Sequence, residues 1–215
     1  MTRTKRLAIL PLAAALAFAL PACRPADDPG YQQSPFSRIG DPLWETPDFT
    51  LVNCDGRTVS KADLIGKVWL AAFIFTRCPG PCPLITRRMS EVQRVLAGKE
   101  DFSLVSFTVD PAYDTPEVLL KYAQARGADP MRWVFLTSRE PDEETMHRLA
   151  NDFKIAASRI PPEEGEPATP VPNIVHGTNI LLVDRLGQVR AIFDSEDPGC
   201  VDLMAEGIAR LNAEE

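Results

Sequence analysis

The sequence predicts an α/β fold: a mixed central sheet flanked by helices, with an N-terminal β-hairpin. Three observations predict it. Val68 to Phe75 is an unbroken apolar run, the pattern of a central strand buried on both faces. Beyond it, strand-like and helix-periodic segments alternate as far as Phe153. Hairpin-like pairs of strands bracket this alternation at both ends.

Each element has its own signal. Phe49 to Val52 and Arg57 to Val59 flank Asn53-Cys54-Asp55-Gly56, which reads as a hairpin turning at Asp55-Gly56. After the central strand, Leu84, Ile85, Met89, Val92 and Leu96 recur at helical spacing and predict a helix from Pro83 to about Ala97. Phe102 to Val109 is the next strand. Thr115 then caps a helix, with Pro116 at its first position and Gly127 as its stop. Trp133 to Leu136 is a short strand, and Asp142 to about Phe153 a helix. Pro161 to Pro172 is rich in Pro and Glu and reads as a mobile loop. Ile180 to Val183 and Val189 to Phe193 flank Arg185-Leu186-Gly187 and read as a closing hairpin, with a last helix over Cys200 to Leu211.

The N-terminus is a leader. Arg3, Lys5 and Arg6 precede Leu7 to Leu20, an apolar stretch too short to span a bilayer comfortably and broken by Pro11. It ends in Leu20-Pro21-Ala22-Cys23, which resembles a bacterial lipobox with Cys23 as the lipidated residue, although Pro21 is unusual there. Cleavage near Ala22 and an uncleaved anchor are the alternatives, and all three place the domain outside the cytoplasm. Residues 1–23 are thus a signal peptide, 24–45 a Pro- and Asp-rich flexible tether, and 46–215 the domain.

The 215 residues suffice for one domain with appendages, and 45% hydrophobic content supports a real core. Of 23 basic residues three lie in the leader, leaving 20 against 30 acidic ones. That balance argues against nucleic acid as a partner and modestly favours basic ones.

Cys78 and Cys82 follow the central strand, at the carboxyl end where ligand sites of open α/β sheets concentrate. Cys78, Gly80 and Cys82 each precede a proline, so the loop is stiff and the helix is expected to start at Pro83. A nearby helix N-terminus favours thiolate, the form that binds metal or attacks a disulfide. Two thiolates and one imidazole suit copper: the sulfurs favour Cu(I), and imidazole accepts either oxidation state. A structural zinc site would need a fourth ligand. Of the two histidines, His147 lies mid-helix beside Glu143, Glu144 and Arg148 and is expected to be exposed. His176 precedes an apolar strand and is the candidate third ligand. It would be held away from the cysteines by the adjoining loop until metal draws it in. Cys54 and Cys200 remain, either as a pair or as two separate structural thiols.

Residues from about Asp48 to Phe193 resemble the SCO/SenC family of copper-binding, thioredoxin-fold proteins that assemble cytochrome c oxidase. The resemblance rests on Phe49-Thr50-Leu51 with Asp55-Gly56, on Gly66-Lys67-Val68, and on Phe75-Thr76-Arg77-Cys78-Pro79 with Cys82-Pro83. It continues through Val109-Asp110-Pro111 with Asp114-Thr115-Pro116-Glu117, and His176 before its strand. It implies a membrane-tethered factor that hands copper to the dinuclear copper centre of the oxidase, or to another copper protein, or reduces that centre's cysteines. It implies Cys78, Cys82 and His176 as copper ligands, with Asp110 or Asp114 as an acidic group behind them. Asp114 has a second reading, as a turn former ahead of Thr115. The chain departs from the family pattern at Gly80-Pro81, where Asp-Val is usual, and at Gly177, where Ser or Thr is usual. Two other readings stay open. One is a thiol–disulfide oxidoreductase using Cys78 and Cys82 without metal. The other is a peroxidase using Cys78 with Arg77 beside it.

Overall fold

The computed structural model describes residues 39–99, 101–161 and 171–214. The expected leader, most of the expected tether and the centre of the 161–172 loop lie outside these residues. Among the described residues no helix is long and apolar enough to cross a membrane.

Among the described residues there are ten strands and four α-helices. The strands are β1 (Trp44–Glu45), β2 (Thr50–Asn53), β3 (Thr58–Ser60), β4 (Trp69–Ile74) and β5 (Ser103–Thr108). After these come β6 (Trp133–Thr137), β7 (Ala157–Arg159), β8 (Ile174–His176), β9 (Asn179–Val183) and β10 (Gln188–Asp194). The helices are α1 (Cys82–Val95), α2 (Pro116–Ala125), α3 (Glu143–Asp152) and α4 (Cys200–Ala213). Seven of the strands and all four helices are those expected, while β1, β7 and β8 are additional. Eight strands form one sheet in the order β1-β10-β9-β4-β5-β6-β2-β3, and β7 and β8 form a second sheet of two. β4, β5 and β6 run parallel, while β9 and β2 join them antiparallel, so the main sheet is mixed as expected.

The apolar run becomes β4 because both of its faces are covered, and every residue from Trp69 to Ile74 is buried. On one face Trp69, Phe73 and Phe107 meet Phe153 at the end of α3, with ring centroids 6.3, 5.4 and 5.3 Å from it. On the other face α1 buries Ile85, Met89 and Val92, spaced for one side of a helix. α2 lies beside α1, joined where Ser90 Oγ and Gln93 Nε2 donate to the carbonyls of Arg126 and Gly127. The expected Thr115 cap forms, its side chain accepting from the Val118 N–H, and Asp142 caps α3 in the same way by accepting from the Thr145 N–H. Gly56, at φ +84°, closes the turn between β2 and β3.

Three details differ from the sequence expectation. First, packed chain begins ahead of Thr46. Ile39 is buried, Arg190 Nε donates to the Gly40 carbonyl at 2.7 Å, and β1 pairs with the outer edge of β10. Buried Lys61 then donates to the carbonyl of Thr46 and to Glu45. An exposed edge strand favours such a cover. Gly207 accommodates it: a Cβ there would lie 2.7 Å from Leu182 Cδ2 and 3.2 Å from Ile39 Cδ1. Second, α1 begins at Cys82 and not at Pro83, because Pro81 already takes helical dihedrals and its carbonyl accepts from Leu84 and Ile85. Third, His147 is half-buried: its Nε2–H donates to the Val109 carbonyl at 2.9 Å.

Candidate metal centre

The centre is built where β4 meets α1. β4 delivers the chain through buried Phe75 to Thr76, Arg77 and Cys78. The Cys78 N–H donates back to the Phe75 carbonyl at 3.2 Å, which turns the loop tightly. Cys82, as the first residue of α1, is buried, and its Sγ accepts from the Phe75 N–H at 3.4 Å. Cys78 is only partly buried, and its Sγ accepts from the Gly80 N–H at 3.4 Å.

The third group arrives from the β7–β8 hairpin, in which Ala157 pairs with His176 and Arg159 with Ile174. His176 Nε2 lies 3.1 Å from Cys82 Sγ. Its Nδ1 lies 3.0 Å from the Gly177 carbonyl, which can only accept, so the proton sits on Nδ1 and the Nε2 lone pair faces the sulfurs. Phe75 packs edge-on against the ring, with centroids 5.7 Å apart. One donor atom from each of Cys78, Cys82 and His176 lies within 4.8 Å of the other two. Hairpin pairing seats the ring beside Cys82. Gly177 suits this seat: a Cβ there would press on Ile155 Cγ2 at 3.2 Å.

The two thiols differ in kind. The Cys82 side chain hydrogen-bonds the Cys78 sulfur and, against the cost of burial and with help from two backbone N–H groups, brings the Cys78 pKa down to about 4. The same contact with Cys78, together with burial, drives the Cys82 pKa strongly upward. Cys78 is therefore an accessible thiolate at neutral pH, and Cys82 keeps its proton. Alkylation is expected to follow this division. Iodoacetamide modifies Cys78 at a rate nearly constant from pH 8 down to about 5, slowing only as pH falls toward 4, while Cys82 resists. Peptide-resolved mass spectrometry would check this, and a Cys78 rate that rises steeply between pH 7 and 9 would contradict it.

Both candidate aspartates are fully buried behind the cysteines. Asp114 accepts from the Thr76 N–H at 3.0 Å, from the Thr76 hydroxyl in a short hydrogen bond, and from the Thr108 hydroxyl at 2.5 Å. It ties the end of β4 to the end of β5, and burial raises its pKa. Asp110 accepts from Arg77 Nε at 2.7 Å. That contact and the Tyr113 ring, 4.3 Å from the Arg77 guanidinium carbon, engage the cation on which the peroxidase reading depended. Arg159 and Tyr113 escaped the sequence reading and Glu143 stood out there only as a neighbour of His147, since their contacts with Asp110 and Arg77 or with each other come from distant elements. Cys54 and Cys200 are free thiols in separate settings, at the β2–β3 turn and the start of α4. Among the described residues the Cys78, Cys82 and His176 group is the one cluster of three or more His, Cys, Asp or Glu able to hold a metal ion.

A family model described as SCO1/SenC matches residues 41–212. The chain is 36% identical over 154 residues to the SCO1 protein homolog of Bacillus subtilis, covering 71% of this chain and 75% of the relative. It is also 36% identical over 153 residues to protein SenC of Rhodobacter capsulatus, covering 70% of this chain and 62% of the relative. Among solved structures, a SCO1/SenC family lipoprotein from Bacillus anthracis superposes with a TM-score of 0.70 at 31% identity, covering 81% of this chain and 99% of that one. BsSco, a member of the Sco family of cytochrome c oxidase assembly proteins in which a disulfide switch was identified, gives 0.67 at 32% identity, covering 83% and 99%. Copper-bound ScoI of Bradyrhizobium japonicum gives 0.63 at 25% identity, covering 78% and 99%. The fold is accordingly thioredoxin-like, in agreement with the sequence expectation.

Proposed function

This chain belongs to the SCO1/SenC family, and we propose that it carries copper for assembly of a copper centre, with Cys78, Cys82 and His176 as the ligands. The carrying observation is the meeting of the two cysteine sulfurs with an imidazole nitrogen whose lone pair is free to bind. Two sulfurs and one nitrogen make a soft, three-coordinate set for Cu(I) and leave an approach for a partner's ligand. Cys78 is the accessible thiolate and serves as both entry and exit ligand. Cys82 loses its proton to solvent as its sulfur joins the metal. A partner thiolate then displaces Cys78 first, since Cys82 and His176 are buried.

The partner we propose is the subunit holding the dinuclear copper centre of cytochrome c oxidase, met on the outer side of a membrane to which the N-terminal leader anchors the domain. The unlike acidities of the two thiols favour a second role on the same partner. Cys78 thiolate attacks a partner disulfide and releases one partner thiolate. Cys82, on losing its proton, attacks the Cys78 sulfur, forming the Cys78–Cys82 disulfide and freeing the second partner thiol. The partner gains two electrons and this chain loses two.

One experiment separates the two roles. The protein, copper-loaded or as metal-free dithiol, is mixed anaerobically with the soluble copper domain of the oxidase in its dithiol or disulfide form. We expect copper to move to the dithiol acceptor. Reduction of the disulfide acceptor by the metal-free protein, without metal transfer, would assign thiol reduction instead. Failure of both would remove the oxidase as partner.

A further inference from the structure

We infer that Asp110 is a positioning residue that clasps the two halves of the metal centre, gripping Arg77 on the cysteine loop and facing Arg159 on the hairpin that carries His176. The inference rests on the copper reading above and extends it to residues outside the ligand set.

The three ligands come from two separate pieces of structure. Cys78 and Cys82 belong to the loop between β4 and α1. His176 belongs to the β7–β8 hairpin, which hydrogen-bonds into a sheet of its own and not into the main one. Side-chain contacts must therefore help to fix the hairpin's distance from the loop. Asp110 stands between them. It is fully buried, and its Oδ2 accepts from Arg77 Nε at 2.7 Å. Its Oδ1, also buried, has no hydrogen-bond partner and lies 4.0 Å from Arg159 Nη2. A buried carboxylate with one bare oxygen is a strong electrostatic demand, and Arg159 answers it at ion-pair distance.

The carboxylate is itself held firmly. The Asp110 N–H donates to Thr108 Oγ1 at 3.0 Å, and His147 fixes the preceding carbonyl of Val109. Arg159 is aimed by both oxygens of Glu143 on α3, each at 2.6 Å, in the two-pronged geometry that locks a guanidinium plane. Arg159 pairs with Ile174 across the hairpin, two positions along from the Ala157–His176 pair. Any slide of Arg159 along its strand therefore carries His176 with it. The cations facing Asp110 are Arg77 and Arg159, and the buried Asp114 carboxyl is near enough to repel it; Glu143 and His147 stand behind Arg159 on α3.

The test uses Arg159→Gln, because Arg159 is partly exposed and the fold tolerates its loss better than loss of buried Asp110. Asp110→Asn is the companion. Cu(I) affinity is measured by chelator competition for each change, in the natural protein and in a His176→Ala background. Amide hydrogen exchange of residues 157–159 and 174–176 is followed without metal. We expect Arg159→Gln to weaken Cu(I) binding about tenfold, the scale of losing a partner behind a metal ligand. The effect should shrink below about twofold once His176 is absent, and hairpin exchange should quicken while α2 exchange stays unchanged. An equal loss in both backgrounds with unaltered hairpin exchange would overturn the clasp and leave Asp110 a stabilising ion pair. If the natural protein binds Cu(I) weakly yet Arg159→Gln quickens hairpin exchange, the copper reading fails and the clasp stands. If binding is tight and depends on His176 while Arg159→Gln alters neither quantity, the clasp alone fails.

Discussion

Replacing Cys78 by serine is expected to weaken Cu(I) binding by well over the roughly 100-fold that marks loss of an outer partner of a metal ligand. A serine hydroxyl is hard, and it stays protonated where the Cys78 thiolate is formed above a pKa of about 4. His176→Ala should cost less, since two soft sulfurs remain and a two-coordinate Cu(I) site survives. The pH dependence of the natural protein follows from the same asymmetry. Cys78 carries no proton to release near neutrality, whereas Cys82, its pKa driven up, must release one. Affinity should thus rise about tenfold per pH unit from 6 to 8, and fall as acid returns the proton to Cys82. Anaerobic titration against a competing Cu(I) chelator reads both quantities. Binding that is indifferent to Cys78, or independent of pH, would sink the assignment.

What could be read in the sequence was what depends on short spacing. The run from Val68 to Phe75 announced its strand because a strand covered on both faces has no polar side to show. Thr115 announced its helix because a cap is chosen by backbone groups two or three residues away. The three candidate ligands were legible from their chemistry and their place beside strands. The β7–β8 hairpin was not: each arm has three residues, too few to establish alternation, and a Pro- and Glu-rich stretch separates them. β1 was hidden for a similar reason, being two residues whose pairing partner lies at the other end of the chain. His147 looked exposed beside its charged neighbours, yet the carbonyl it reaches, Val109, is 38 residues distant. The part played by Asp110 needs three elements to meet, and nothing local records that meeting. Gly177 appeared in the sequence as a departure from the family pattern. In the fold it is a close approach to Ile155.

Asp114→Ala should be among the most damaging changes outside the ligands, on the order of 3 kcal/mol. It removes the acceptor for the Thr76 N–H and for the hydroxyls of Thr76 and Thr108, and an orphaned buried donor costs about 1–3 kcal/mol. Asp114→Asn keeps an acceptor for the Thr76 N–H and should cost about 1 kcal/mol. The two variants also expose the charge. Burial raises the Asp114 pKa in the folded protein above the unfolded value of about 4. Between those two values the folded state holds a proton that the unfolded chain has released. Folding is therefore favoured on the acid side of this window and loses stability as pH rises through it, becoming constant above the folded pKa. Asp114→Asn abolishes that decline, so its stability deficit relative to the natural protein should be larger at pH 4 than at pH 8. Urea unfolding across that range tests both statements. An Asp114→Ala loss below 1 kcal/mol, or a deficit for Asp114→Asn that grows with pH, would contradict the role given to this carboxyl. Because Asp114 fixes Thr76, two residues before Cys78, Asp114→Ala should also weaken Cu(I) binding in whatever fraction stays folded, through a loosened cysteine loop and with every ligand in place.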